Sequence, residues 1–253
     1  MTPKFSFAGT CNRPHIWPKV FAALEQNDSD FEVILCGDVG PDYELPAYAR
    51  WIEARVKPAQ CAEIAMRECR GELWSVLVDD LEYSPGCLDE AWARYSASAD
   101  GNVIVSPLYH NPFDYPGQSP EELTRWAQRF DVRDPNSPPI PVQGFIPAVV
   151  ATAIGGFDRR FVAVQQDVDW FMRAQAHGGA RVEFLRNGTV TERNDWSGPH
   201  VPLSSRHHFQ HDRPLVESLW VRAPGTPFGW ERTSELDPFG GDLLTGNQGR
   251  VEP

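Results

Sequence analysis

Short apolar runs alternate with amphipathic stretches along most of the chain. Phe5 to Thr10 reads as a first strand, followed by a loop over Cys11 to Pro14. Pro18 suits the first turn of a helix running through Val20, Phe21, Ala22, Ala23 and Leu24. Phe31 to Cys36 is a second apolar strand ending at Gly37-Asp38, and Trp51 to Val56 is a shorter third. Ala59 to Arg70 has helical spacing, with Gly71 placed to stop it. Leu73 to Val78 is a bounded apolar run, too short for a helix, that ends in Asp79 and Asp80 and then breaks into a turn at Pro85-Gly86. Leu88 to Ala97 predicts a helix and Asn102 to Ser106 a strand. Strand, helix and strand in alternation predict an α/β domain with a largely parallel sheet.

The second half is less regular. Residues 107–141 are rich in proline and polar groups, with one helix expected near Glu121 to Phe130. Val142 to Ile154 returns to apolar character, and Gly155 to Asp158 forms a turn. Gln165 to Asp169 leads into a helix through Trp170, Phe171, Arg173 and Ala174, ended by Gly178-Gly179. Arg181 to Leu185 is the last clear strand. Beyond Asn194 the pattern decays, so the chain divides into a domain over 1–195 and an irregular C-terminal extension over 196–253 that wraps the core.

The chain has 253 residues, 41% of them apolar and 23% charged, the composition of a soluble globular protein. A formal charge of -12 weighs against broad binding to nucleic acid or anionic membrane. The five cysteines are odd in number and form no Cys-x-x-Cys pair, which argues against structural zinc and for a reduced, cytoplasmic setting. No signal peptide and no membrane span are expected. There is no Gly-x-Gly-x-x-Gly after the first strand and no P-loop.

The chemistry begins with Asp79 and Asp80. Ligands of open α/β sheets sit beyond the carboxyl ends of the strands. Adjacent carboxylates there repel unless a cation lies between them, and hard oxygen donors suit Mg²⁺ or Mn²⁺. The alternative is an exposed acidic turn that starts the next helix. Asp38 is a second acid at a strand's carboxyl end.

Four pieces in order carry a resemblance. They are Thr10-Cys11-Asn12-Arg13-Pro14, then Phe31 to Asp38, then Val78 to Gly86, then Gly155 to Asp158 followed by Gln166-Asp167-Val168-Asp169. Together they resemble family 2 glycosyltransferases of the GT-A fold over about residues 5 to 190. The resemblance implies a single domain with a mixed, mostly parallel central sheet flanked by helices. It implies a metal-dependent, inverting transfer from a nucleoside-diphosphate sugar, a UDP-sugar above others, with Mn²⁺ or Mg²⁺. Thr10, Asn12 and Arg13 would lie against the nucleotide, and Asp38 would accept from the base. By the resemblance Asp80 would be the direct metal ligand, and Asp79 would face the ribose or a metal-bound water. Glu82 and His208 complete the implied metal set, although His207, His211 or water are alternatives to His208. Asp167 would be the general base. Three departures stand out: Gln166 replaces the usual Glu beside the base, Val78 stands where a longer acidic motif often has its first Asp, and Thr189 to Arg193 has no His where the family often carries a further ligand.

Each assignment has a structural competitor. Asp167 could cap a helix, a role worth about 1 kcal/mol. Asp169 reads as structural, with Arg173 one helical turn on as its ion-pair partner. Trp170 and Phe171 could stack on a sugar or pack in the core, Tyr83 likewise, and Arg13 could meet phosphate or a nearby acid. The acceptor stays open among glycan, lipid carrier, protein and modified nucleic-acid base. Two further readings are a nucleotidyltransferase acting on sugar phosphates and an inactive GT-A-like binding module.

Overall fold

The computed structural model describes residues 2–10, 12–113, 115–126, 128–197 and 208–244. The central sheet has five strands. They are β1 (Phe5–Thr10), β2 (Phe31–Gly37), β3 (Ala49–Glu53), β4 (Leu73–Leu77) and β7 (Ile146–Pro147), in the order β3-β2-β1-β4-β7. All pairs are parallel except β4 with β7. A second sheet has the order β5-β8-β6, from β5 (Leu81–Tyr83), β6 (Val103–His110) and β8 (Arg181–Glu192). The two sheets meet where Val105 and Phe145 exchange main-chain hydrogen bonds at 3.0 and 2.8 Å.

A parallel sheet is covered on both faces, so its strands are apolar on both sides of the pleat. Phe5, Phe7, Val33, Leu35, Leu73 and Leu77 pack on one face against helices α1 (Trp17–Leu24) and α3 (Cys87–Ser96). Ala8, Ile34, Cys36 and Val76 belong to the other face, under α2 (Pro58–Arg67) and α6 (Gln166–Ala176). Trp170 and Phe171 are both buried there, so the packing reading holds for each. Tyr83 is also fully buried, its hydroxyl donating to Gln143 at 2.7 Å.

Several sequence expectations need correction. α2 stops at Arg67, three residues early, and Gly71 has a different task. A Cβ there would lie 2.7 Å from the Phe5 backbone. The strand expected over Trp51 to Val56 sits earlier, at Ala49–Glu53. The turn at Pro85-Gly86 is present, and between it and the acids lies β5, which pairs antiparallel with β8. β8 is twelve residues long rather than five. The proline-rich stretch holds a helix α4 at Pro120–Trp126, and α5 (Ala148–Ile154) follows β7.

The segment expected to be irregular carries regular elements. A short helix α7 (Asn194–Ser197) precedes a π-helical turn at His208–Asp212, helix α8 (Arg213–Leu219) and a hairpin of β9 (Trp220–Arg222) with β10 (Trp230–Arg232). Val216, Leu219, Trp220 and Trp230 join the core on the α6 face. Its apolar positions are spaced too sparsely to announce themselves without the surface they cover. Among the described residues no helix is long and apolar enough to cross a membrane.

Candidate active site

Strand register places the predicted acids. Thr10 lies opposite Cys36, and Gly9 opposite Leu77. The chain therefore leaves β1, β2 and β4 at the same edge of the sheet, with Thr10, Asp38 and the Asp79-Asp80 pair along it. Thr10 is half-buried, whereas Asn12 and Asp38 are exposed.

Arg13 reaches across to the acids. Its Nε donates to Asp79 Oδ2 at 2.9 Å, and Nη2 donates to the other oxygen, a bidentate pair. The same Nη2 is 3.7 Å from Asp80. Of the two readings for Arg13, pairing with a nearby acid is the one this state displays. Asp79 is 5% exposed, and burial raises its carboxyl against the pull of Arg13. Asp80 is pushed up to about 6, by burial first and then by the charges of Asp79 and Glu192.

Glu192 is the residue sequence reasoning missed. It ends β8, where its carboxylate accepts from the Tyr109 hydroxyl and from Asn111 Nδ2 at 2.8 Å. The following residue, Arg193, donates its main-chain N–H to the Asp80 carbonyl at 2.7 Å. A signal was present, since Glu192 lies in the stretch where a further His ligand was sought. What hid it was the length of β8, because Arg186-Asn187-Gly188 looks like the strand's end.

Glu82 and the histidines fall elsewhere. On β5, Leu81 and Tyr83 are buried and Glu82 between them pairs with Arg193 at 2.5 Å. Among the described residues no three His, Cys, Asp or Glu side chains converge as a metal cage, so Glu82 is not gathered with Asp79 and Asp80. His207 and the side chain of His208 lie outside the described residues. His211 is engaged with Asp212 at 2.7 Å.

The donor chemistry still fits a hard dication. Asp79 and Asp80 bring two carboxylates to one guanidinium, and Asp80, repelled also by the charge of Glu192, is left short of positive charge. Mg²⁺-type sites need only one or two protein carboxylates, because water and phosphate fill the rest.

Asp167 stands apart, in the first turn of α6, lining a cavity of about 240 Å³ with Gln128, Arg129, Gln165 and Arg213. It is not the N-cap, which is Gln165, although its Oδ1 does accept from Val168 N–H at 2.9 Å. Burial pushes its carboxyl up, against that bond. Gln165 has φ 66°, the one non-glycine positive φ among the described residues. Such strain is held by its surroundings. Just before it in the chain, the buried carboxylate of Asp212 accepts from Val162, Ala163 and Val164 N–H at 2.8 to 3.0 Å.

Asp169 is structural, as expected. It is fully buried and accepts from Arg173 at 2.9 Å, Trp220 Nε1 at 3.0 Å and Arg232 at 2.9 Å. Arg173 also donates to the carbonyls of Ile154, Gly155 and Gly156. Gly155 has φ 78°, and a Cβ on Gly156 would meet the Glu63 carboxylate at 2.2 Å, so this turn requires both glycines.

No protein-family model matches the sequence, and no curated protein does. Solved structures do. The S. aureus TarS 1–349 fragment aligns at TM-score 0.56 and 13% identity, covering 85% of this chain and 74% of that one. The same fragment in complex with UDP-GlcNAc aligns at 0.54 and 15%, covering 78% and 62%. The fold is that of the GT-A glycosyltransferases. At such identity the likeness carries the fold alone. Against the longer TarS structure the chain spans 45% of the length, at TM-score 0.56 and 14% identity.

Proposed function

We propose that this protein is a glycosyltransferase that moves a sugar from a nucleoside-diphosphate sugar, UDP-linked above others, to an acceptor hydroxyl. The observation that carries the reading is the under-compensated acid pair Asp79-Asp80 at the carboxyl edge of a GT-A sheet. The TarS crystal structure in complex with UDP-GlcNAc supports a nucleotide-sugar donor. Residues 1–195 form the catalytic domain, and the extension over 196–253 completes the acceptor side through Arg213 and Val216.

Thr10, Asn12 and Arg13 flank the nucleotide, with Asp38 at its base. Asp80, with Asp79 beside it and the charge of Glu192 nearby, would hold Mn²⁺ or Mg²⁺, whose charge would offset that of the diphosphate. Asp167 takes the proton of the acceptor hydroxyl, an effect of about 10²–10⁴-fold. The freed oxygen pair bonds to the anomeric carbon, and the bond from that carbon to the diphosphate oxygen breaks. Its electron pair leaves with the nucleoside diphosphate, so one displacement inverts the centre. Arg13 can exchange Asp79 for phosphate oxygens, which match its fork equally well.

The test is transfer or hydrolysis across a nucleotide-sugar panel with Mn²⁺. Asp80→Asn and Asp167→Asn are each expected to remove turnover, and full activity in either would retire that residue's role. The second reading is a donor-binding module without turnover, favoured by Arg13 spanning Asp79 and Asp80. Calorimetry separates them: donor binding indifferent to a chelator, with no turnover, selects the module.

A further inference from the structure

The acid pair at the edge of the central sheet is already engaged by the chain itself. On the reading of Asp79 and Asp80 as the residues that hold a dication, this contact bears on when a dication can enter. Arg13 Nε donates to Asp79 Oδ2 at 2.9 Å and Nη2 donates to Oδ1, so both oxygens of Asp79 are taken. Nη2 also stands 3.7 Å from Asp80. Among the described residues no other basic side chain pairs with either acid. The Arg13 side chain is 18% exposed, against 7% and 20% for the two acids, so solvent ions screen the contact only weakly.

The loop that carries Arg13 is tied down at its main chain. The Arg13 carbonyl accepts from Ile16 N–H at 3.0 Å. The next carbonyl, of Pro14, accepts from Trp17 N–H at 3.3 Å and from the Tyr43 hydroxyl at 2.8 Å. The guanidinium, at the end of a long side chain, is therefore the part that can move. Charge decides when it moves. Two carboxylates balance one dication. A dication added while the guanidinium stays leaves positive charge in excess, and a dication that displaces it leaves the guanidinium without a partner. A diphosphate removes both penalties, because its oxygens receive a guanidinium as a carboxylate does.

We infer that Arg13 is a built-in counter-ion that keeps the acid pair closed to a free dication and gives the pair up when a nucleoside diphosphate offers the guanidinium new oxygens. Dication and nucleotide then bind with positive coupling through Arg13, and each raises the affinity of the other by the same factor. A residue that served only as a phosphate anchor would behave differently. Its removal would weaken nucleotide binding and leave the affinity for the bare dication as it was.

The test is an EPR titration of the full chain with Mn²⁺, which counts the free ion, with and without saturating UDP. The binding scored is the part that Asp80→Asn removes. Arg13→Gln is expected to raise the affinity for Mn²⁺ alone about tenfold, within the range usual for coupled sites. The factor by which UDP strengthens Mn²⁺ binding should shrink by a similar amount. Arg13→Lys keeps the charge without the fork and should fall between parent and Arg13→Gln, so it serves if the latter does not fold. Arg193 is the control for charge alone, because its guanidinium pairs with Glu82 and Asp195 rather than with the acid pair. Arg193→Gln should shift Mn²⁺ affinity by no more than about twofold, since solvent ions screen charges that are not in contact. Unchanged affinity for Mn²⁺ alone in the Arg13 variants, an equal gain in Arg193→Gln, a UDP effect as large without Arg13 as with it, or no Asp80-dependent binding at all would overturn the inference. Nucleotide-sugar turnover measured on the same preparation keeps the two readings apart. Turnover with metal binding indifferent to Arg13 overturns this inference and leaves the transferase reading standing. Coupling through Arg13 without turnover supports the inference and counts against the transferase.

Discussion

Asp169 and Asp80 have the same side chain and both lie near an arginine, yet the molecule treats them in opposite ways. Asp169 accepts from two buried guanidinium groups and an indole, and Arg232 continues on to Asp158 at 2.7 Å. Burial alone would raise Asp158, but Arg160, a main-chain N–H and Arg232 hold it well below the usual carboxylate range. Asp80 has one guanidinium at 3.7 Å, two acidic neighbours and a raised carboxyl. A saturated carboxylate holds structure together. A carboxylate short of donors at a sheet's ligand-binding edge is available to something else.

The hardest test of that contrast is on stability. Asp169→Ala leaves Arg173 and Arg232 buried without their shared partner and is expected to cost about 3–5 kcal/mol in urea unfolding. Asp80→Asn relieves repulsion and should leave stability equal or higher. An equal loss in the two variants would erase the distinction.

Activity should show the reverse order. Asp80→Asn is expected to lower turnover of a nucleotide sugar by roughly 10²-fold or more, read in an initial-rate assay with Mn²⁺. Glu192→Gln should cost about tenfold through weaker metal affinity, as for a group acting behind a ligand. Its melting temperature should stay near that of the parent, because Tyr109 and Asn111 can still donate to the amide oxygen.

The smallest effect is in pH. The Asp80 carboxyl titrates near 6 in the folded protein, above its ordinary value of 3.8. Between those values the folded protein keeps a proton that the unfolded chain has lost. The stability this group contributes is full below the lower value and is lost as pH rises through about 6. In denaturation curves of the metal-free protein, Asp80→Asn should flatten that slope. Mn²⁺ affinity of the parent should fall below pH 6 as protons compete.

Much of the central sheet and its acidic edge was legible in the sequence. Phe5 to Thr10, Phe31 to Cys36 and Leu73 to Leu77 are apolar runs that only a covered parallel sheet accommodates, and each ends in polar residues at the ligand edge. The pairing of Arg173 with Asp169 followed from helical spacing, because neighbours at four residues share a face. Glu192 lies in the stretch where the resemblance implies a further ligand, but its approach to Asp80 was not legible, since it depends on β8 continuing past Gly188 to meet β5, a long-range pairing.

The order of apolar and polar residues by itself determined the strands, their common edge and the acids along it, because local spacing decides which side chains can share a face. Only the tertiary structure decided which carboxylates would be neutralised and which left wanting. Those partners come from Arg13, Trp220 and Arg232, distant in the chain, and charge compensation depends on distance in space rather than along the backbone.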